Sequence, residues 1–275
     1  MALSTVALLP HSPLLIPEIG RANYSFLSKT VAAYESVGAE LVRAAVDTVI
    51  LISPHGSKTP DSFVLNVAPE MLPDFRDFGF IPDPSSLGGD AILADQIKNA
   101  LRPDFPIQLT SQLNLDSGSG IPLYLLKKFL PTLKTVVITP AEKLSLEEQA
   151  AFGARLGGVI AQRNKNIAVI ASGDMSHRLK KKSPGGYSPR GAKFDNRLIE
   201  LLSAGPAGLD DILSFDEKLA EDAGECGLRP LVLALGVLGG LDWTPEILAY
   251  QTDFGIGYLS VNFHFHSPGE TIKTA

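Results

Sequence analysis

The 275-residue chain predicts a single-domain α/β sandwich, a central and mostly parallel β-sheet covered by helices on both faces. Short apolar runs such as Thr48-Val49-Ile50-Leu51-Ile52 are rich in β-branched residues and do not alternate with polar ones. That is the pattern of strands buried on both faces. Segments with apolar residues three or four positions apart separate these runs, the spacing of amphipathic helices. The alternation continues along the chain with no linker and no internal repeat.

Each element has its own signal. Residues 5–9 form an apolar run stopped by Pro10, a first strand. In residues 25–45, Leu27, Val31, Tyr34, Val37, Leu41 and Ala45 recur at helical spacing. Residues 48–52 are a strand ending at Ser53-Pro54-His55-Gly56. Strands are expected at 63–67 and 107–110, and a helix at 90–101. A helix at 119–129 places Pro122 in its first turn, where a missing N–H costs nothing. Residues 135–139 form a strand stopped by Pro140. A helix over 145–163 starts with Ser145 as N-cap, and Glu148 completes a capping box. The strand at 167–171 runs into Ser172-Gly173-Asp174-Met175-Ser176-His177. A Pro/Gly-rich loop covers 183–191, followed by helices at 193–202, 208–213 and 226–238. In the last strand, 256–265, Tyr258, Ser260, Asn262 and His264 alternate with Leu259, Val261, Phe263 and Phe265. The domain is read as residues 1–265, with 266–275 a polar, frayed tail.

Composition narrows the functional classes. The formal net charge of −6 argues against nucleic-acid binding, which needs clustered cations to displace counterions. The one basic cluster, Arg178 to Lys182, reads either as a solvated loop or as a rim that attracts an anionic substrate. A single cysteine, Cys226, permits no internal disulfide and suits a cytoplasmic location. Pro10, His11, Pro13 and Pro17 interrupt the apolar N-terminal stretch, so neither a signal peptide nor a membrane-spanning helix is expected.

Three of the five histidines, His11, His55 and His177, directly follow expected strands. In open α/β sheets the carboxyl ends of strands are where binding loops converge. Neutral imidazole binds iron, zinc, copper and nickel, and two histidines with one carboxylate make the facial triad of non-haem iron sites. The candidate carboxylate is Glu225, in Ala223-Gly224-Glu225-Cys226-Gly227. It also reads as a first-turn acid favoured by a helix dipole. Cys226 is the rival ligand, because a thiolate at a helix start binds iron or zinc well. Asp174 either orients His177 or caps a local turn. His264 and His266 read as structural or tail residues.

The stretches Leu9-Pro10-His11-Ser12-Pro13, Ile52-Ser53-Pro54-His55-Gly56, Ser172 to Leu179, Ala223 to Gly227 and Phe254 to Tyr258 occur in an order that resembles the LigB-type class III extradiol ring-cleaving dioxygenases and their Memo-like relatives. The resemblance implies a LigB/Memo-like fold and ferrous iron held by His11, His55 and Glu225, with zinc also accepted. It implies that His177, supported by Asp174, is the acid/base for an aromatic substrate, with O2 as co-substrate. Ser12, Ser117 and Cys226 are the candidate substrate contacts. Some members have two components, so a second subunit or homodimer is compatible. One departure stands out. Where the family commonly carries Asp-His-Gly before Val-Pro-Leu, this chain has Asp116-Ser117-Gly118 before Ile121-Pro122-Leu123. Ser117 can hydrogen-bond but cannot carry positive charge. Three readings follow: an iron-dependent extradiol dioxygenase acting on a catechol or aminophenol, a Memo-like binding or redox module, and, last, a zinc hydrolase.

Overall fold

The computed structural model describes residues 2–57, 59–82 and 86–266. Its regular elements in chain order are β1 (Leu3–Leu9), α1 (Pro17–Gly20), α2 (Ser28–Arg43), β2 (Thr48–Ile52), β3 (Phe63–Asn66), β4 (Glu70–Pro73), β5 (Leu87–Gly89), α3 (Ala91–Leu101), β6 (Ile107–Thr110), β7 (Asn114–Leu115), α4 (Ser117–Lys127), β8 (Lys134–Thr139), α5 (Leu146–Ala161), β9 (Ile167–Ser172), α6 (Pro189–Ser203), α7 (Leu209–Leu213), α8 (Glu217–Ala223), α9 (Leu228–Val237), β10 (Asp242–Gln251) and β11 (Tyr258–His266).

The strands join in the order β10-β11-β1-β9-β2-β8-β5-β4-β7, and β3 branches from β8 to pair with β6. The middle of the sheet is parallel: β1 with β9, β9 with β2, and β2 with β8. The β10–β11 hairpin adds antiparallel to β1. Helices cover both faces, as the uninterrupted apolar runs require. Val6, Leu8, Ile50, Ile52, Val169 and Ala171 pack toward a core shared with α3, α5, α6 and α9. Their neighbours Ala7, Leu9, Val49, Leu51, Ala168 and Ile170 pack toward α2 and α4.

Most expected elements are present within a few residues, and the Ser145–Glu148 capping box is formed. The differences have physical reasons. α4 begins at Ser117, so Pro122 lies inside the helix rather than in its first turn. α6 begins at Pro189, with Ser188 accepting from the Arg190 N–H, so the end of the expected loop is already helical. α9 begins at Leu228, which leaves Cys226 in the preceding loop. The expected polar tail lies outside the described residues except for His266, which ends β11. No helix among the described residues is long and apolar enough to cross a membrane.

Candidate metal centre

β1, β9 and β2 are adjacent and parallel, so the loops that follow them leave the same edge of the sheet. This brings His11 beside His55, their rings 5.0 Å apart and nearly perpendicular at 77°. Among the described residues, one group of three His, Cys, Asp or Glu side chains has donor atoms within 4.8 Å of one another: His11, His55 and Cys226.

A relay that starts at Pro122 sets the tautomer of His11. Proline has no N–H, so within α4 the carbonyl four residues earlier, at Gly118, loses its helical donor. The Ser172 hydroxyl, at the end of β9, donates to that carbonyl at 2.6 Å. Having spent its proton there, Ser172 Oγ accepts from His11 Nδ1 at 2.9 Å. His11 Nε2 therefore carries a lone pair, 3.7 Å from Cys226 Sγ. The relay depends on Gly118. A Cβ there would lie 2.7 Å from the His55 ring and 2.9 Å from Ser53 Oγ. The His55 backbone is held by Ser53 Oγ, which accepts its N–H, and by Thr139 Oγ1, which donates to its carbonyl.

Cys226 is fixed by Asp174. The Cys226 N–H donates to the Asp174 carbonyl at 3.1 Å, the Asp174 N–H donates to Cys226 Sγ at 3.4 Å, and Sγ lies 3.7 Å from the same carbonyl. These loops meet closely because both carry glycine: a Cβ on Gly173 would lie 2.2 Å from Gly227 Cα. The Asp174 carboxylate accepts the His11 N–H at 3.1 Å and stands 3.9 Å from His11 Nε2 and 3.7 Å from His177 Nε2.

His177 is held by its own backbone and ring. Its N–H donates to the Ala223 carbonyl, and its Nδ1 lies 2.8 Å from the Gly224 carbonyl. A carbonyl only accepts, so Nδ1 bears the proton and Nε2 faces Asp174. The preceding Ser176 N–H donates to the buried Asp195 at 2.9 Å, and the Tyr250 hydroxyl donates to the other Asp195 oxygen at 2.7 Å. Burial pushes the Asp195 carboxyl up to about 6, against the hydrogen bonds from Tyr250 and Ser176.

The other residues expected at the site have these positions. Glu225, expected as the third ligand, is not part of the His11, His55 and Cys226 group. Its carboxylate accepts the Leu228 N–H at 2.7 Å and that of Gly227, two amides that α9 leaves unpaired. Burial pushes this carboxyl up to about 7, against those bonds and the charge of Arg229. Ser12 is buried and donates to the Tyr258 hydroxyl at 3.4 Å. Ser117 is the first residue of α4, beside Gly118. A cleft of about 260 Å³ opens at His55, Cys226 and Glu225, with Arg229 and Glu142 on its walls. The basic run 178–182 does not line it: Arg178 donates to the Asp222 carbonyl, and Lys180 to Lys182 are exposed. His264 contacts Glu246 across the hairpin.

Comparison with known proteins places the chain in a family. A family profile described as the catalytic LigB subunit of aromatic ring-opening dioxygenase matches residues 5–260. The chain belongs to this family. Protein CA_C1420 of Clostridium acetobutylicum is 33% identical to the LigB-family chain over 269 residues, 94% of this chain and 57% of that protein. A 2,3-dihydroxyphenylpropionate/2,3-dihydroxicinnamic acid 1,2-dioxygenase of Mycolicibacterium gilvum is 28% identical over 228 residues, 78% of this chain and 64% of that one. The chain thus spans a little over half the length of these curated relatives. The uncharacterized protein JW3007 of Escherichia coli shares the fold, with a TM-score of 0.66 at 17% identity over 94% of this chain and 99% of that one.

The donor set fits a divalent transition metal. Two imidazoles and a thiolate suit iron and zinc, and the lone pair on His11 Nε2 is oriented by a second hydrogen bond, as metal-binding histidines usually are. Sequence reasoning missed Ser172, Asp195 and Arg229 as parts of the site. Ser172 had a signal, since it is the last residue of β9 and follows directly on an expected strand.

Proposed function

We propose that this chain is a ring-opening dioxygenase that holds iron(II) on His11, His55 and Cys226 and acts on an aromatic diol or aminophenol. The observation that carries the reading is the convergence of the two histidines and the cysteine within 4.8 Å, beside the His177–Asp174 pair. Cys226 takes the place we expected for Glu225, because Glu225 is engaged by the amides at the start of α9. When bound, iron(II) would supply the point where O2 and the two ring substituents meet, with an electron path between them.

The chain's own residues supply the rest. His177 Nε2 bears the lone pair that takes a proton from a substrate hydroxyl. Asp174 Oδ2, 3.7 Å away, stabilises the imidazolium that results until the proton is returned. Ser176, held by Asp195, and the carbonyls of Ala223 and Gly224 keep the ring in place.

The test is anaerobic loading with Fe(II), then exposure to O2 with a panel of catechols and aminophenols. A yellow ring-opened product is expected from at least one compound. His177→Gln is expected to lower kcat by about 100-fold or more while iron is retained. Cys226 favours a second reading, a Memo-like metal-binding or redox module. Full iron loading with no turnover of any panel member would favour it over the first.

A further inference from the structure

Two edges of the sheet differ in how they are protected. β10 pairs only with β11, and Asp242, Pro245 and Glu246 lie along it. Its register with β11 also shifts between Ile247 and Ala249. Charge, proline and bulges are the usual devices that keep an edge strand from recruiting another chain. β6 pairs only with β3 among the described residues and has none of these devices. The Pro106 and Thr110 carbonyls, on either side of its middle, accept the Phe63 and Val67 N–H groups on the β3 side. Backbone direction alternates along a strand, so Ile107 and Leu109 turn their N–H and C=O away from β3, toward no partner among the described residues.

The surroundings of that edge are uncharged. Residues 105–115 include no Asp, Glu, Lys or Arg, although Gln108, Leu109, Ser111, Leu113 and Asn114 are exposed. About a quarter or more of a soluble surface is ordinarily charged. Leu109 and Leu113 are 45% and 48% exposed. The chain carries a net charge of −6, so two copies repel except where they meet through a neutral strip. A second copy brings such a strip with it.

We propose that the free edge of β6 is a homodimer contact, in which two copies pair antiparallel about a twofold axis at Leu109. Each Leu109 exchanges its N–H and C=O with its counterpart, and Ile107 of each copy lies opposite Ser111 of the other. β6 has four residues, so the contact is small and the association weak and concentration-dependent.

Sedimentation of the purified full chain from about 1 μM to about 1 mM, the range of weak complexes, tests it. The mass is expected to rise from 29.3 kDa toward twice that value. Leu109→Lys sets like charges against each other at the axis and is expected to stay monomeric throughout, with an unchanged melting temperature. Ile247→Lys, on the protected edge β10, is expected to associate as the wild type does. In a Cys226→Ser background, Leu109→Cys is expected to form a disulfide-linked dimer on mild oxidation. Residues exchanging both bonds across antiparallel strands have Cα atoms about 5.5 Å apart, within disulfide reach. A monomer at every concentration, association that survives Leu109→Lys, or no cross-link through Leu109→Cys would overturn the proposal. None of these readouts involves the metal centre.

Discussion

At the scale of single residues, the site is organised by partners that do not themselves face the cleft. Pro122 releases the Gly118 carbonyl, Ser172 bridges it to His11, and His11 is left with its lone pair toward Cys226. Ser172→Ala removes the bridge. Pro122→Ala restores an N–H that competes for the same carbonyl. Both variants are expected to fold and to bind metal roughly 10–100-fold more weakly, measured by competition with a chromophoric chelator. Unchanged affinity in Ser172→Ala would show that His11 needs no such support. Asp195 gives a second expectation. Its carboxyl is raised to about 6 in the folded protein, above the usual carboxylate value near 4. The folded state therefore holds a proton that the unfolded state releases between those values. Asp195 contributes stability that is fully present below about pH 4 and lost as pH rises through about 6. In Asp195→Asn the amide still accepts from Ser176 and donates to Tyr250. The stability difference between wild type and this variant, from urea unfolding, is expected to shift against wild type between pH 4 and 7. The two histidines were legible in the sequence because strand ends converge. Which of Glu225 and Cys226 lies beside the histidines was not, because adjacent residues in a loop point in directions that only the loop's own hydrogen bonds decide.

At the scale of elements, buried polar ties set where the helices and strands meet. Asp90 caps α3 through the Leu93 N–H and accepts from Thr48 Oγ1 at 2.9 Å and Lys165 Nζ at 2.6 Å. It joins α3 to the start of β2 and the turn before β9. Asp90→Ala removes the cap and leaves a buried hydroxyl and a partly buried ammonium unpaired, with an expected loss of about 2–3 kcal/mol in chemical unfolding. A loss under about 0.5 kcal/mol would contradict this. Two of the elements absent from the sequence reading, β10 and α8, break the usual signals. β10 contains Pro245, which argues against a strand, but β10 is the edge of the sheet, where a missing N–H costs no ladder bond. α8 is short and charged, and buries only Leu219, Ala220 and Ala223. Its Asp216 cap and left-handed Gly224 were readable as a helix start and stop, but the polar sequence between them read as loop. The long apolar runs of β1, β2, β8 and β9 left no such ambiguity.

At the scale of the whole molecule, strand order explains why a site forms where it does. β9 comes late in the chain but lies between β1 and β2 in the sheet. It places Ser172 and Asp174 between two histidines that are 44 positions apart in sequence and brings the loop before α9 over them, so side chains from position 11 to position 226 meet within 4.8 Å. The family profile covers the same span, residues 5–260. The central claim is that Cys226, rather than Glu225, completes the donor set. X-ray absorption spectroscopy of the Fe(II)- or Zn(II)-loaded protein tests it most directly. The expected result is a shell of imidazole nitrogens with one sulfur at about 2.3 Å, lost in Cys226→Ser and retained in Glu225→Gln. A shell of nitrogen and oxygen alone, unchanged in Cys226→Ser and altered in Glu225→Gln, would contradict the account.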